Sequence, residues 1–208
     1  MRGRFISLEG GEGVGKSTQL KRLAARLHAG GLEVVETREP GGSEGAEAIR
    51  QLLLQGEDSR WTPESEALLF AAARADHVYR TILPALERGA WVISDRFLDS
   101  SLAYQGWAAG LGGDQIRMLH AFASHNFLPD RTLLLELPLR TVADRLSERD
   151  LFGPDRIGGR EAQFHDRVAK GFDALARAEP GRIRRVDASG TLDEVTERLF
   201  AAVEDLLP

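Results

Sequence analysis

The sequence contains no cysteine, which excludes disulfides and cysteine-based metal sites. This absence is compatible with a reducing compartment. Long apolar runs are missing as well, since none approaches the roughly 20 residues that a membrane-spanning helix requires. Residues 1–4 carry charge and lead directly into the first apolar segment, which leaves no room for a signal peptide. We therefore expect a cytoplasmic protein with no membrane partner.

An excess of basic residues is also absent. The chain has 27 lysines and arginines against 32 aspartates and glutamates, a formal net charge of −5 at pH 7. Proteins that bind nucleic acid usually gather a basic surface that displaces counterions from phosphates. We therefore expect no nucleic-acid partner. A small anionic ligand remains compatible with this charge, because it needs only local positive groups.

The 208 residues and 42% hydrophobic content suffice for one substantial core, and no linker-like stretch divides the chain. Residues 1–208 are therefore predicted to form a single domain. Short apolar runs alternate with helical patterns, which is typical of an α/β protein with a doubly wound parallel sheet in three layers. Predicted helices include a long one at residues 64–88, bent before Pro84, and a terminal one at 192–206. Five strands are predicted, at residues 5–8, 33–37, 91–94, 132–137 and 183–186.

Residues 10–18 read G-G-E-G-V-G-K-S-T and complete the pattern G-x-x-x-x-G-K-[ST] of a phosphate-binding loop. Its glycines permit positive φ angles, so that successive N–H groups can converge on an anion. Lys16 supplies charge for the β- and γ-phosphates, and the Ser17 hydroxyl is placed to ligate Mg²⁺. A strand precedes the loop and a helix follows it, so the helix dipole adds to the site. The residues expected to bind the nucleotide are Gly10, Gly11, Glu12, Gly13, Val14, Gly15, Lys16, Ser17 and Thr18.

The second chemical feature is an apolar strand that ends in an acid and a base, W-V-I-S-D-R at residues 91–96. At the carboxyl edge of the sheet Asp95 would face the phosphate loop and hold Mg²⁺, directly or through water. Arg96 would then point to a second phosphate. The alternative is that Asp95 caps the following helix and Arg96 pairs with it on the surface.

Five segments together resemble the bacterial thymidylate kinases, and the resemblance runs from the first strand to the last helix. They are F-I-S-L-E-G-G-E-G-V-G-K-S-T at residues 5–18, T-R-E-P-G-G at 37–42, L-L-F-A-A-A-R at 68–74, S-D-R-F at 94–97 and D-S-S-L-A-Y-Q-G at 99–106. The resemblance implies a P-loop nucleoside monophosphate kinase fold with a short lid. It also implies transfer of the γ-phosphoryl group of ATP to dTMP, giving dTDP and ADP, a requirement for Mg²⁺, and a homodimer.

The resemblance assigns the dTMP site as well. Phe70 is similar to the aromatic residue that stacks on thymine, and Arg74 to the guanidinium that hydrogen-bonds a thymine carbonyl. Their spacing of four places both on one face of a helix, where ring and donor can meet the same planar base. In an arbitrary helix, Phe70 would instead belong to the core and Arg74 to the solvated surface. The other residues implied for dTMP are Arg38 and Arg96 at its phosphate, Tyr104 against the deoxyribose, Ser101 and Gln105 at the base, and Glu39 and Pro40 in an adjoining turn.

A lid is expected at about residues 146–160, in a segment rich in arginine and glycine. By the resemblance, closing such a lid brings arginines to the transferred phosphoryl group, and we name Arg149 and Arg156 for this role. Arg145 is assigned to stacking on adenine. Acids in the same segment nearly cancel its charge, so surface ion pairs are the alternative for any one arginine. The predicted catalytic set is Lys16, Asp95, Arg96, Arg149 and Arg156.

The chain departs from the family pattern at a few positions. Ala73 replaces an acid that often precedes the base-reading arginine, so another group must orient Arg74. Phe97 replaces a common tyrosine, and Gly158 and Gly159 follow Ile157 where an acid is common. A guanine-nucleotide switch is disfavoured, because the N/T-K-x-D tetrapeptide does not occur, and a non-catalytic module would lack the acceptor site. A kinase for another nucleoside monophosphate or for a deoxynucleoside remains the alternative.

Overall fold

The computed structural model describes residues 2–138 and 156–208, and the described chain is built on one five-stranded sheet. The strand order is β2-β3-β1-β4-β5, and every neighbouring pair is parallel. The predicted doubly wound α/β fold is therefore confirmed. The strands are β1 Phe5–Glu9, β2 Val34–Arg38, β3 Trp91–Asp95, β4 Arg131–Glu136 and β5 Ile183–Asp187.

Burial explains why the central strands are continuous apolar runs. All five residues of β1 are buried, because helices cover both faces of the sheet. Ile6 and Leu8 belong to the core that contains Leu23 of the first helix, whereas Phe5 belongs to the core on the opposite face. This alternation follows from the two-residue period of a strand. The edge strand β2 is only partly buried.

The described residues contain eight α-helices, which lie on the two faces of the sheet. The first begins directly after residues 10–15, which we call the glycine loop. The last begins at a capping box in which Thr191 and Glu194 bond each other's backbone N–H groups. The helices are α1 Lys16–Ala29, α2 Glu44–Leu54, α3 Pro63–His77, α4 Leu83–Glu87, α5 Leu98–Ser101, α6 Gly113–Ser124, α7 Ala162–Ala178 and α8 Leu192–Ala201.

The long helix predicted at residues 64–88 is interrupted. α3 passes into a π-helical turn, Val78–Ile82, and then into α4. Pro84 explains the change, because it has no N–H for the helix ladder and its ring crowds the carbonyl of the preceding turn. The predicted terminal helix also ends early, at Ala201, and a short 3₁₀ turn, Glu204–Leu206, follows it.

A second π-helical turn, Leu102–Ala108, continues α5 and carries residues of the predicted acceptor site. Insertions of this kind re-aim side chains and recur at functional sites. The carboxyl ends of β1, β2 and β3 face the same edge, where Asp95 lies level with Leu8 and Arg38. No helix among residues 2–138 and 156–208 combines the length and apolar character needed to cross a membrane.

Candidate active site

A cavity of about 740 Å³ opens at the carboxyl edge of the sheet, between the glycine loop, the end of β2, α3 and the turn Leu102–Ala108. Most of the residues predicted for the two nucleotides line it together. They are Glu12, Gly13, Val14, Gly15, Lys16, Ser17, Thr18, Arg38, Glu39, Pro40, Phe70, Arg74, Asp95, Arg96, Ser101, Tyr104 and Gln105. The predicted Arg145 and Arg149, with most of the predicted lid, lie outside the described residues.

The glycine loop has the backbone that the sequence predicted. Gly10, Gly13 and Gly15 have φ angles of 137°, 72° and 95°. A Cβ at Gly10 would lie 2.5 Å from the Leu135 carbonyl oxygen, so β4 leaves no room for a side chain there. Gly15 precedes α1, and no side chain caps that helix. The first N–H groups of α1 are therefore available to an anion.

Lys16 is the buried cation of this loop. Its ammonium donates to the carbonyl oxygens of Gly10 at 3.2 Å and Gly11 at 2.6 Å. Burial, followed by the charge of Arg96, lowers the pKa of Lys16 to about 8. An anionic ligand would restore a higher pKa, because it stabilises the ammonium.

Ser17 and Asp95 meet at the mouth of the loop. The Ser17 hydroxyl donates to Asp95 Oδ2 at 2.5 Å, which joins the start of α1 to the end of β3. Both groups offer oxygen, the ligand atom that Mg²⁺ prefers. The alternative role for Asp95 as a helix cap is not observed, since α5 follows Phe97 without a side-chain cap. The pair therefore fits a magnesium ion held between protein and phosphates.

Arg96 joins the loop to the opposite wall of the cavity. Its Nη1 donates to the Gly10 carbonyl at 3.1 Å and to Ser100 Oγ at 2.9 Å. Its Nη2 donates to Glu12 Oε1 at 2.5 Å and to the Tyr104 hydroxyl at 3.2 Å. The backbone of Arg96 is left-handed, with φ 72°, a strained conformation for a residue with a Cβ and one that recurs at functional sites.

Glu9 supports this strained turn and was missed by the sequence analysis. Its carboxyl group is fully buried and accepts hydrogen bonds from the Phe97 N–H at 2.7 Å and from Ser100 Oγ at 2.6 Å. Burial, followed by the charge of Asp99, raises the pKa of Glu9 to about 8. A signal was present, because Glu9 is the one charged residue of the buried strand F-I-S-L-E.

Glu12 and Tyr104 face each other across the cavity. The Tyr104 hydroxyl donates to Glu12 Oε1 at 3.2 Å. The charge of Arg96 is the main reason that the pKa of Glu12 falls to about 2, so Glu12 is ionised at neutral pH. Burial raises the pKa of Tyr104 above its usual value, so its hydroxyl stays protonated. The ring is fixed from behind by Phe164 and Phe172.

Arg74 is held from several sides and projects from α3 into the same cavity. Its Nε donates to Glu39 Oε2 at 2.8 Å, and its Nη2 donates to Ser101 Oγ at 2.9 Å. Glu39 is held in turn by His77, whose Nδ1 lies 3.0 Å from Glu39 Oε1. Nη1 of Arg74 makes no hydrogen bond to a described residue. It is not among the fully buried polar atoms that lack a partner, and Arg74 lines the cavity. Glu39 thus supplies the orientation that Ala73 does not, and Nη1 is left for a ligand.

Glu66 is a second buried acid that the sequence analysis missed. It accepts a hydrogen bond from Gln105 Nε2 at 2.9 Å and forms ion pairs with Arg156 and Arg160. Arg156 was predicted to reach the transferred phosphoryl group, but here its side chain is buried against α2 and α3. Its Nε donates to the Leu53 carbonyl at 2.7 Å, and it does not line the cavity. The reason is the buried carboxylate of Glu66, which requires a cationic partner.

The sequence model of thymidylate kinases matches residues 8–199. The chain belongs to the thymidylate kinase family. It is 62% identical over 208 residues to the thymidylate kinase of Rhizorhabdus wittichii, with both chains covered completely. It is 47% identical to the thymidylate kinase of Methylococcus capsulatus over 99% of this chain and 97% of that protein. For the thymidylate kinase of Bradyrhizobium diazoefficiens the identity is 45%, with coverages of 100% and 92%.

Membership of the thymidylate kinase family confirms the resemblance drawn from the sequence motifs and the predicted enzyme class. The reaction is the ATP-dependent phosphorylation of dTMP to dTDP. The family match covers both ends of the cavity, from the glycine loop to the turn Leu102–Ala108.

Proposed function

We propose that the cavity holds ATP and dTMP with their phosphates facing each other, and that Arg96 joins the two sites. The observation that carries this proposal is the position of Arg96. Its guanidinium bonds Gly10 and Glu12 of the glycine loop and also Tyr104 of the opposite wall. A phosphate on either side would find the same positive charge.

At the donor end, the N–H groups of residues 13–18 bind the β- and γ-phosphates of ATP, and Lys16 turns from the Gly10 and Gly11 carbonyls toward them. The oxygens of Ser17 and Asp95, which lie 2.5 Å apart, would hold Mg²⁺. When bound, Mg²⁺ would neutralise charge on the phosphate oxygens.

At the acceptor end, Phe70 stacks on thymine and Nη1 of Arg74 donates to a thymine carbonyl. Both residues line the cavity one helical turn apart on α3. Ser101 and Gln105 complete the base site, Glu39 and Pro40 form its adjoining turn, and Arg38 lies near the dTMP phosphate. Tyr104 packs against the deoxyribose, where its fixed ring leaves no space for a 2′-hydroxyl.

No strong general base is required for the transfer. The second pKa of a phosphate monoester is about 6, so the attacking oxygen of dTMP is mostly ionised at neutral pH. Repulsion between two anions is the main obstacle, and the loose transition state spreads negative charge over the moving group. Lys16 and Arg96 offset that charge. We keep Arg149 and Arg156 as candidates for further charge, and Arg156 would first have to leave Glu66.

An Arg74→Lys variant tests the acceptor end. Lysine keeps a charge beside Glu39 but lacks the planar fork, so the hydrogen bond to the base is lost. We expect kcat/KM for dTMP to fall about tenfold to a hundredfold, with the KM for ATP unchanged. Coupled kinase assays with dTMP measure this. Arg80→Lys is the matched control, because Arg80 lies on the exposed side of the same helical region. Wild-type efficiency in Arg74→Lys would remove Arg74 from the base site.

We further propose that residues 1–208 form one kinase domain and that two copies form a homodimer. Strands from residue 5 to residue 187 belong to one sheet, which supports the single domain. The four most exposed large apolar side chains of the described chain support the dimer, because all lie on α3, the turn after it, or α6. They are Phe122 (89% exposed), Tyr79 (72%), Met118 (70%) and Leu68 (56%).

A further inference from the structure

Glu66 lies on α3, one helical turn before Phe70, and is buried to 1% exposure. Oε1 accepts from Gln105 Nε2 at 2.9 Å and from Arg160 Nη1 at 3.4 Å. Oε2 accepts from Arg160 Nη2 at 2.8 Å and from Arg156. Burial alone would raise the pKa of Glu66, but the hydrogen bonds from Gln105 and Arg156 and the nearby guanidinium charges lower it. Glu66 is therefore ionised at neutral pH and can only accept hydrogen bonds.

The ionised carboxylate of Glu66 fixes the orientation of the Gln105 amide. A side-chain amide has a donor end and an acceptor end, and only the donor end can face a carboxylate. The carbonyl oxygen of Gln105 is thereby turned away from Glu66. That oxygen makes no hydrogen bond to a described residue and is not among the buried unpaired atoms, while Gln105 lines the cavity. The cavity wall therefore offers a hydrogen-bond acceptor at Gln105.

Arg74 offers the complementary group in the same part of the cavity, because its partner Ser101 lies four residues before Gln105 in one continuous helical segment and all three residues line the cavity. Its Nη1 is a donor without a partner among the described residues, and its guanidinium is fixed by Glu39 and Ser101. A donor beside an acceptor matches the edge of thymine or uracil, which carries the O4 acceptor and the N3–H donor. Cytosine reverses both groups, since it carries an amino group at position 4 and a bare N3.

We propose that Glu66 is a specificity-determining residue, which selects bases that carry an N3–H by holding the Gln105 carbonyl toward the base. Glu66 does not touch the nucleotide and acts by positioning Gln105. This inference rests on the proposed function, because it needs the base to lie between Arg74 and Gln105. The result would be discrimination against dCMP, with no discrimination between dTMP and dUMP from this source.

The test is Glu66→Gln, assayed with dTMP, dUMP and dCMP. A neutral amide at position 66 can donate as well as accept, so the Gln105 amide is free to reverse. We expect the ratio of kcat/KM for dTMP over dCMP to fall about tenfold, the effect of one mismatched buried hydrogen bond. The ratio for dTMP over dUMP should stay unchanged, because both bases present the same edge. The KM for ATP should also stay unchanged.

Two further variants keep the test decisive. Arg160→Met removes another partner of the same carboxylate without touching Gln105, and it should leave both ratios unchanged. Glu66→Gln leaves the buried Arg156 without its counter-charge, and the protein could then fail to fold. In that case Gln105→Met replaces it, since loss of the carbonyl should lower the dTMP over dCMP ratio by a similar factor.

The outcomes separate this inference from the proposed function. A wild-type dTMP over dCMP ratio in either Glu66→Gln or Gln105→Met overturns the role of Glu66. An equal fall for all three nucleotides also overturns it, because a purely structural residue would act in that way. Wild-type efficiency with dTMP in Arg74→Lys would instead overturn the proposed function, because it would remove Arg74 from the base site.

Discussion

At the scale of single residues, the environment of each side chain decides what it can do. Lys16 and Arg96 are both cations beside the glycine loop, but burial lowers the pKa of Lys16 to about 8. Arg96 stays charged, because it is a guanidinium that bonds Glu12. The two residues therefore differ in how their binding of phosphate depends on pH.

ATP affinity should accordingly fall as the pH rises. Protonated Lys16 favours the bound anion, and the free protein loses that proton near pH 8. The dissociation constant for MgATP, measured calorimetrically without dTMP, should rise about tenfold between pH 7 and pH 9. Lys16→Met should bind weakly over the whole range, without this step. The same step in Lys16→Met would assign the titration to another group.

Tyr104 should set the choice between deoxyribose and ribose through its ring. The ring is fixed against Phe164 and Phe172, so it cannot retreat from an added 2′-hydroxyl. Tyr104→Phe should keep the preference for dTMP over ribothymidine monophosphate, whereas Tyr104→Leu should reduce it about tenfold. Coupled assays with both nucleotides measure the ratio. Loss of the preference in Tyr104→Phe would attribute it to the hydroxyl instead.

At the scale of elements, the glycine loop works because β4 packs directly against it. Gly10 has a positive φ, and a carbonyl oxygen of β4 lies 2.5 Å from where its Cβ would be, whereas a Cβ at Gly11 would have nothing within 4 Å. A side chain therefore fits at Gly11 but not at Gly10. The loop sequence alone gives no means of telling them apart.

Gly10→Ala should lower the free energy of unfolding by about 1–3 kcal/mol and weaken ATP binding, because β4 and the loop must separate to admit a methyl group. Gly11→Ala is the matched control, and its free energy of unfolding should change by less than about 0.5 kcal/mol. Urea unfolding measures both. Equal destabilisation by the two substitutions would contradict the close packing at Gly10.

At the scale of the whole molecule, the exposed apolar side chains of α3 and α6 are the surface that we propose for the dimer. If the proposed dimer forms through this surface, Phe122→Glu should convert it to a monomer, since a charge buried in an apolar interface is costly to desolvate. Sedimentation velocity measures the change. Leu192→Glu is the control, because Leu192 is also exposed but begins α8, far along the chain. Monomeric wild-type protein at all concentrations would refute the dimer.

Local sequence was sufficient to predict the five parallel strands and the phosphate loop. Alternating apolar runs and helical patterns reflect burial on two faces of a sheet, and the loop needs glycine, lysine and serine at fixed spacing within one short segment. Pro84 likewise marked the place where the structure changes helix type, although a bend itself was the prediction. The family motifs also predicted residues of the acceptor site, such as Arg74 and Tyr104, and both line the cavity in the structure.

Only the tertiary structure decided which polar side chains meet. Glu9 with Ser100, Glu39 with Arg74, and Glu66 with Gln105 and Arg156 join residues far apart in the chain. A buried carboxylate must find donors wherever the packing brings them, and no local pattern encodes that choice. The sequence by itself thus determined the fold, the phosphate loop and the family of this protein. The packing of the helices on the sheet determined the orientation of the arginine and amide side chains in the cavity.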